Sequence, residues 1–328
     1  MNRTTPRVTT VLLARRAAAL KRHLPAALDG DAHGVHQARV ASRRLREAVP
    51  VLTSGVKGAK AKKALGKIRR LTRALGTVRE LDVTLQIIDD LTARQTLPRT
   101  ALEDVRGHVV AERDERREVM LKRLAQVNLS KLDKRLLAMG EALADAEGEG
   151  WREALGARLV KRAKALAVAM SEAGRMYSPE QLHKVRIASK KLRYGMELAL
   201  DAGVKAAAAP LRAVKRVQET LGKLHDLQVL QTHVAAVQAG PRAQVPPNAG
   251  LEIVARALED QCRHLHARYV AGLPRLADVL DTTRSAVVPL LVARARRRPR
   301  AIKMSLKARA VGGRAQMRPA AVAAGQQK

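Results

Sequence analysis

His36, Arg39, Arg43 and Arg46 follow one another at steps of three, four and three residues in the stretch HQARVASRRLR. On a helix turning 100° per residue they fall within about 80° of one another. Side chains three and four apart are neighbours at about 5–6 Å, and like charges there disfavour the helix in isolation. Such a row calls for an anion to offset it. The residue types suit a chain of phosphates: Arg offers forked donors, Lys a mobile point charge, and His a donor that becomes cationic among phosphates. The stretch HKVRIASKKLR writes the row again as His183, Arg186, Lys190 and Arg193, 147 positions later (183 − 36). A charge run on one helix is usually a solvated face. The second copy, the lack of interleaved Glu and the place beside the core argue against that here.

The elements that must carry these rows are helices. Val35, Ala38, Ser42, Leu45, Val49 and Leu52 step by three and four, the pattern of a core-facing stripe. The cationic row points about 100° away from it, which suits the wall of a groove between helices. Leu182, Val185, Ser189, Leu192 and Met196 form the matching stripe of the second copy. A turn is expected at Ser54–Gly58, then a helix over about Lys60–Thr92 with Ile68, Leu71, Leu75 and Val78 buried. Helices are expected over about Arg99–Gln126, Ser130–Ala146, Trp151–Ala173 and Ala206–Val237, and one or two more to about Val292. A second repeat joins the first: LGTVRELDV from Leu75 is answered by LGKLHDLQV from Leu221, 146 positions on (221 − 75). Two collinear repeats at nearly one offset indicate two similar helical halves, about 1–148 and 149–292.

The second helix of each half adds cations. Lys67, Arg69, Arg70 and Arg73 precede the first Leu-Gly, with Arg79 after it; Arg212, Lys215 and Arg216 precede the second, with Lys223 and His225 after it. Glu80 and Asp226 occupy matching positions and read as orienting or neutralising partners of these cations, not as catalytic acids.

Composition narrows the partner. Lys and Arg number 63 against 30 Asp and Glu, a formal charge of +33 over 328 residues. Self-repulsion on that scale points to a polyanion: nucleic acid, an anionic membrane surface or polyphosphate. Aromatic residues make up only 1%, which weighs against a reader that stacks bases on rings. No apolar run of about 18 residues is present, so no membrane span is expected. The stretch MNRTTPRVTTVLLARR is too short in apolar residues to read as a signal peptide. A single cysteine, Cys262, excludes an internal disulfide and suits a reducing cytoplasm. From Ala293 to Lys328 eleven Lys and Arg occur without an acidic residue, which reads as a basic disordered tail. A nucleic-acid-compacting protein working through this tail is therefore the alternative reading, and a homodimer is left open.

VHQARVASRRLR and LHKVRIASKKLRY resemble the two signature segments of the CHAD family, the conserved histidine α-helical domain. LGTVRELDV and LGKLHDLQV are similar to its second recurring segment, with Glu80 where an Asp is common. The resemblance spans roughly Val8 to Val292. It implies an all-α fold, a helical bundle of two pseudo-symmetric four-helix halves around a basic central cavity. It also implies binding of long-chain inorganic polyphosphate and targeting to polyphosphate granules. The family's basic positions fall here on His36, Arg39, Arg43, Arg44, Arg46, His183, Arg186, Lys190, Lys191 and Arg193, with the second-helix cations as an extension. Some members follow a triphosphate-hydrolysing tunnel domain marked by E-x-E-x-K. Glu147-Gly-Glu149-Gly-Trp151 lacks the Lys, so the chain reads as a stand-alone binder.

Other chemistry was weighed on the same residues. Cys262 and His266 share a helix face, but His264 points away and a fourth zinc ligand is not evident. The arginines flanking His36 and His183 would repel a cation. No Walker loop, nucleophile motif or Mg²⁺-binding carboxylate cluster appears. The expectation is a protein without catalytic residues, metal or cofactor.

Overall fold

The computed structural model describes residues 7–57, 60–146, 150–240, 249–289 and 291. Within them the Ala- and Leu-rich stretches are helices: α1 Val8–Leu28, α2 Ala32–Leu52, α3 Ala61–Ala74, α4 Gly76–Ala93, α5 Arg99–Ala125, α6 Leu129–Asp145, α7 Gly150–Ala173, α8 Pro179–Asp201, α9 Ala208–Gln238 and α10 Ala249–Thr282. No strand occurs among the described residues. The expected boundary at 148/149 and the basic tail 293–328 lie outside them.

Local chemistry sets the helix starts. The Asp31 carboxylate accepts from the Gly34 amide at 2.6 Å and caps α2. Asn128 does the same for α6 through Lys131, at 2.7 Å. Ser178 caps α8, with Pro179 at the first helical position, where its missing N–H costs nothing. Gly30 takes the left-handed conformation (φ 79°) that turns α1 into α2, and Arg117 of α5 closes over it by donating to the Asp29 carbonyl at 2.9 Å. Gly34 lets α2 approach α1: a Cβ there would lie 2.6 Å from that of Ala26.

The expected stripes form the core. Val35, Ala38, Ser42, Leu45, Val49 and Leu52 of α2 are all buried, as are Leu182, Val185, Ser189, Leu192 and Met196 of α8 and Ile68, Leu71, Leu75 and Val78. Their apolar members join one cluster built largely from Leu, Ala and Val. The neighbour relations repeat along the chain. α1 packs along α2 as α7 does along α8; α2 meets α3 as α8 meets α9; α4 lies along α5 as α9 does along α10.

One expected helix is two. The run Lys60–Thr92 breaks at Leu75, whose ψ of −10° departs from helical geometry, and resumes at Gly76. The Arg39 guanidinium lies against this break, 3.6 Å from where a Gly76 Cβ would sit. At the matching Gly222 nothing lies within 4 Å of such a Cβ, and α9 runs through without interruption.

Ion pairs tie α1 and α2 to α7 and α8. Glu47 of α2, with 8% of its side chain exposed, takes Arg158 at 2.7 Å and Arg162 at 3.2 Å from α7. Glu197 of α8 takes Arg44 of α2 at 2.9 Å. Asp201 takes Arg16 of α1 at 2.8 Å.

Candidate polyanion-binding site

α2 and α8 touch each other, and their two cationic rows share one environment. Arg39 is held down to about 10, first by burial and then by Arg43, with Glu80 opposing and Arg186 adding to the repulsion. Lys190 is pushed to about 7 by burial, then by Arg186, Arg43 and Arg39, against the pull of Asp226. Arg186 is lowered by burial and by Arg43, with Asp226 and Glu80 opposing. Four cations from two helices thus act on one another across a partly desolvated space.

Two carboxylates attend them. The Arg186 guanidinium lies 3.8 Å from Asp226 of α9. Burial raises the Asp226 carboxyl in spite of Arg186, His225 and Lys190. Glu80 of α4 meets His225 of α9 at 3.3 Å, and that hydrogen bond holds the Glu80 carboxyl below its usual range, helped by Arg39 and Arg186. Glu80 and Asp226 therefore stand beside the cations and offset part of their charge. They leave donors over. The Nε atoms of Arg39 and Arg186, at equivalent positions of the two copies, are both buried without a hydrogen-bond partner. A buried donor left unpaired costs about 1–3 kcal/mol, more when charged.

The histidines stand beside this group. His183 and His225 have ring centroids 4.9 Å apart. Burial, then His225, Arg186 and Lys190, keep His183 below its ordinary value. Burial, then Arg79, Arg39, His33 and Arg43, do so for His36. His36–Arg79 and His183–His225 are the same pair of positions in the two copies. Arg46 is lowered by burial, with Glu47 opposing, and by Arg43 and Arg69. The central group therefore gathers His36, Arg39, Arg43, Arg46, Arg69 and Arg79 with His183, Arg186, Lys190 and His225.

The other expected cations stand apart. Arg44 is taken up by Glu197. Arg193 lies 3.3 Å from the same carboxylate, donates to Gln218 at 3.0 Å and covers the Tyr194 ring. Lys67 is repelled by Arg135, Lys131 and Arg70, which places Arg70 in an outer basic patch on α3 and α6. Arg73 is exposed on α3. Lys191 lines a groove with His183, Arg162 and Glu172, and Lys215 one with Arg15, Arg16 and Arg44. Arg216 and Lys223 line a groove of about 600 Å³ between α9 and α10, with Arg268 and Arg275. Sequence reasoning missed Glu47, Glu197 and Asp201; nothing in their local context marks them as inter-helix partners. Cys262, His264 and His266 do not converge: Cys262 is buried against Gln231 at 3.7 Å, His264 is exposed, and His266 packs edge-on against Tyr177.

Fold and site together define an all-helical protein with paired cationic helices. The family model of the CHAD domain matches residues 11–235, and the chain belongs to the CHAD family. A comparison with curated protein sequences returned no significant match. The crystal structure of the CHAD domain from the plant Ricinus communis is similar in fold, with a TM-score of 0.54 at 22% sequence identity over 85% of this chain and 91% of that one. Among the described residues no helix is long and apolar enough to cross a membrane.

Proposed function

We propose that the protein binds inorganic polyphosphate, without catalysing a reaction, along the facing rows of α2 and α8. The observation that carries this reading is the meeting of Arg39, Arg43, Arg186 and Lys190, cations of two touching helices that repel one another in a partly buried space. A phosphate chain supplies what the group lacks: acceptor oxygens for the orphan donors and charge to offset Arg43 and Lys190. A uniform polyanion also needs no base readout, in keeping with an aromatic content of 1%. On this reading the two halves line a central basic cavity around a pseudo-two-fold axis, and the chain associates with polyphosphate granules. Binding releases condensed counter-ions, so affinity falls steeply with salt, by the physics established for nucleic acids.

Isothermal titration of long-chain polyphosphate into the protein at several salt concentrations tests this, with phosphate release followed in parallel. Saturable binding with a steep negative salt slope and no phosphate release is the expected result. Released phosphate from pure protein would make it a hydrolase instead. The second reading, compaction of nucleic acid, rests on the eleven cations of the tail and predicts binding that survives loss of both rows.

A further inference from the structure

His108 and Glu112 stand one helical turn apart on α5, at the i and i+4 spacing that puts both on one face. His233 of α9 faces them from the other side of the α5–α9 contact. One ligand atom from each of the three lies within 4.8 Å of the others. We propose that His108, Glu112 and His233 form a binding site for a divalent transition metal of the zinc class, which clamps α5 to α9.

The geometry can be compared with what such an ion requires. Ligands at 2.0–2.1 Å in a tetrahedron lie about 3.4 Å from one another. His233 Nδ1 and Glu112 Oε2 are already 3.6 Å apart, so that edge closes with almost no movement. Two imidazoles sharing such an ion place their ring centroids about 5 Å apart. The rings of His108 and His233 are 5.6 Å apart and inclined at 58°, which leaves them unstacked. The remaining adjustment is a side-chain rotation of His108, which is exposed and free to make it.

The surroundings complete the arrangement. Arg116 donates to Glu112 Oε1 at 2.9 Å. This fixes the carboxylate and leaves Oε2, the oxygen beside His233, for the metal, as outer partners of metal ligands do. Arg116 also brings a repelling charge, which makes the site one of moderate affinity. His233 is 8% exposed. Three protein ligands leave a fourth position on the exposed, His108 side. The site lies eight residues beyond His225 along α9, about 12 Å of helix rise, and shares no residue with the cationic rows. Nitrogen and carboxylate donors without thiolate suit zinc, cobalt or nickel better than magnesium or calcium.

The test uses the full chain, free of polyphosphate, titrated with Co²⁺ as a visible-absorption probe and then with Zn²⁺ in competition. The expected result is one equivalent per chain with tetrahedral cobalt bands, displaced by zinc. His108→Ala alters only an exposed residue and should weaken binding at least about tenfold, as should Glu112→Gln. His264→Ala, at the cluster that does not converge, should leave it unchanged. Circular dichroism confirms that each variant is folded. Absence of saturable binding, binding that persists in both His108→Ala and Glu112→Gln, or loss in His264→Ala overturns the proposal.

Discussion

Replacing Lys190 with Met should stabilise the ligand-free protein while weakening the polyphosphate binding proposed above. The ammonium is pushed from 10.5 to about 7, by burial first and then by Arg186, Arg43 and Arg39. At about 1.36 kcal/mol for each tenfold in proton affinity, that fall is on the order of 4–5 kcal/mol. Partial deprotonation at neutral pH and solvent screening reduce it, so roughly 2 kcal/mol is the expected gain in unfolding free energy at about pH 7. Between about pH 7 and pH 10.5 the unfolded chain holds this proton and the folded chain does not, so stability rises with pH across that window. Below about pH 7 both states hold it and the full penalty remains. In the Met variant this part of the pH dependence disappears. Urea unfolding of both proteins from about pH 6 to about pH 10 measures the difference directly. A bound polyanion restores the proton, so polyphosphate affinity should fall as pH rises above about 7 in the parent and less so in the variant. Parallel stability curves, or a variant less stable than its parent at neutral pH, would refute the buried repulsion.

Three further outcomes are expected. Glu197→Gln leaves Arg44 and Arg193 without the carboxylate they share; a loss of about 3 kcal/mol should appear in chemical denaturation, and an unchanged midpoint would contradict the pairing. Gly34→Ala drives a methyl to 2.6 Å from the Ala26 Cβ and 2.8 Å from backbone; melting should show about 1–3 kcal/mol of destabilisation, with the salt slope of binding unaltered. Arg39→Ala should flatten the dependence of log affinity on log salt by about one, the share of one phosphate contact; an unchanged slope would place Arg39 off the binding path.

The apolar stripes of α2 and α8 were legible because each residue's burial follows from a 3.6-residue period that neighbouring chain cannot alter. The cationic rows were legible for the same reason, since their bearing relative to the stripe is fixed by the helix itself. The break at Leu75–Gly76 was not. The same Leu-Gly pair leaves α9 unbroken, and what distinguishes the first copy is the Arg39 side chain lying against Gly76. Arg44 and Arg193 carried the expected residue types, yet both meet Glu197; Arg44 lies 153 positions away from it, a distance no local pattern encodes. The patch of Lys67 with Lys131 and Arg135 went unseen for a like reason, because it depends on how α6 docks beside α3. His108, Glu112 and His233 belong to the same class: half of the cluster is a helical spacing, and the other half is the packing of α9 against α5.

The central claim is that the facing rows of α2 and α8, and not the tail, bind polyphosphate. Competition between long-chain polyphosphate and duplex DNA, matched in phosphate and at near-physiological salt, tests it most directly. The proteins are the intact chain, a chain ending at residue 292, and a variant with Arg39, Arg43, Arg186 and Lys190 changed to Ala. The account predicts that polyphosphate wins, that the shortened chain still binds it, and that the variant does not. Equal competition by DNA, with binding lost in the shortened chain and kept in the variant, would contradict it.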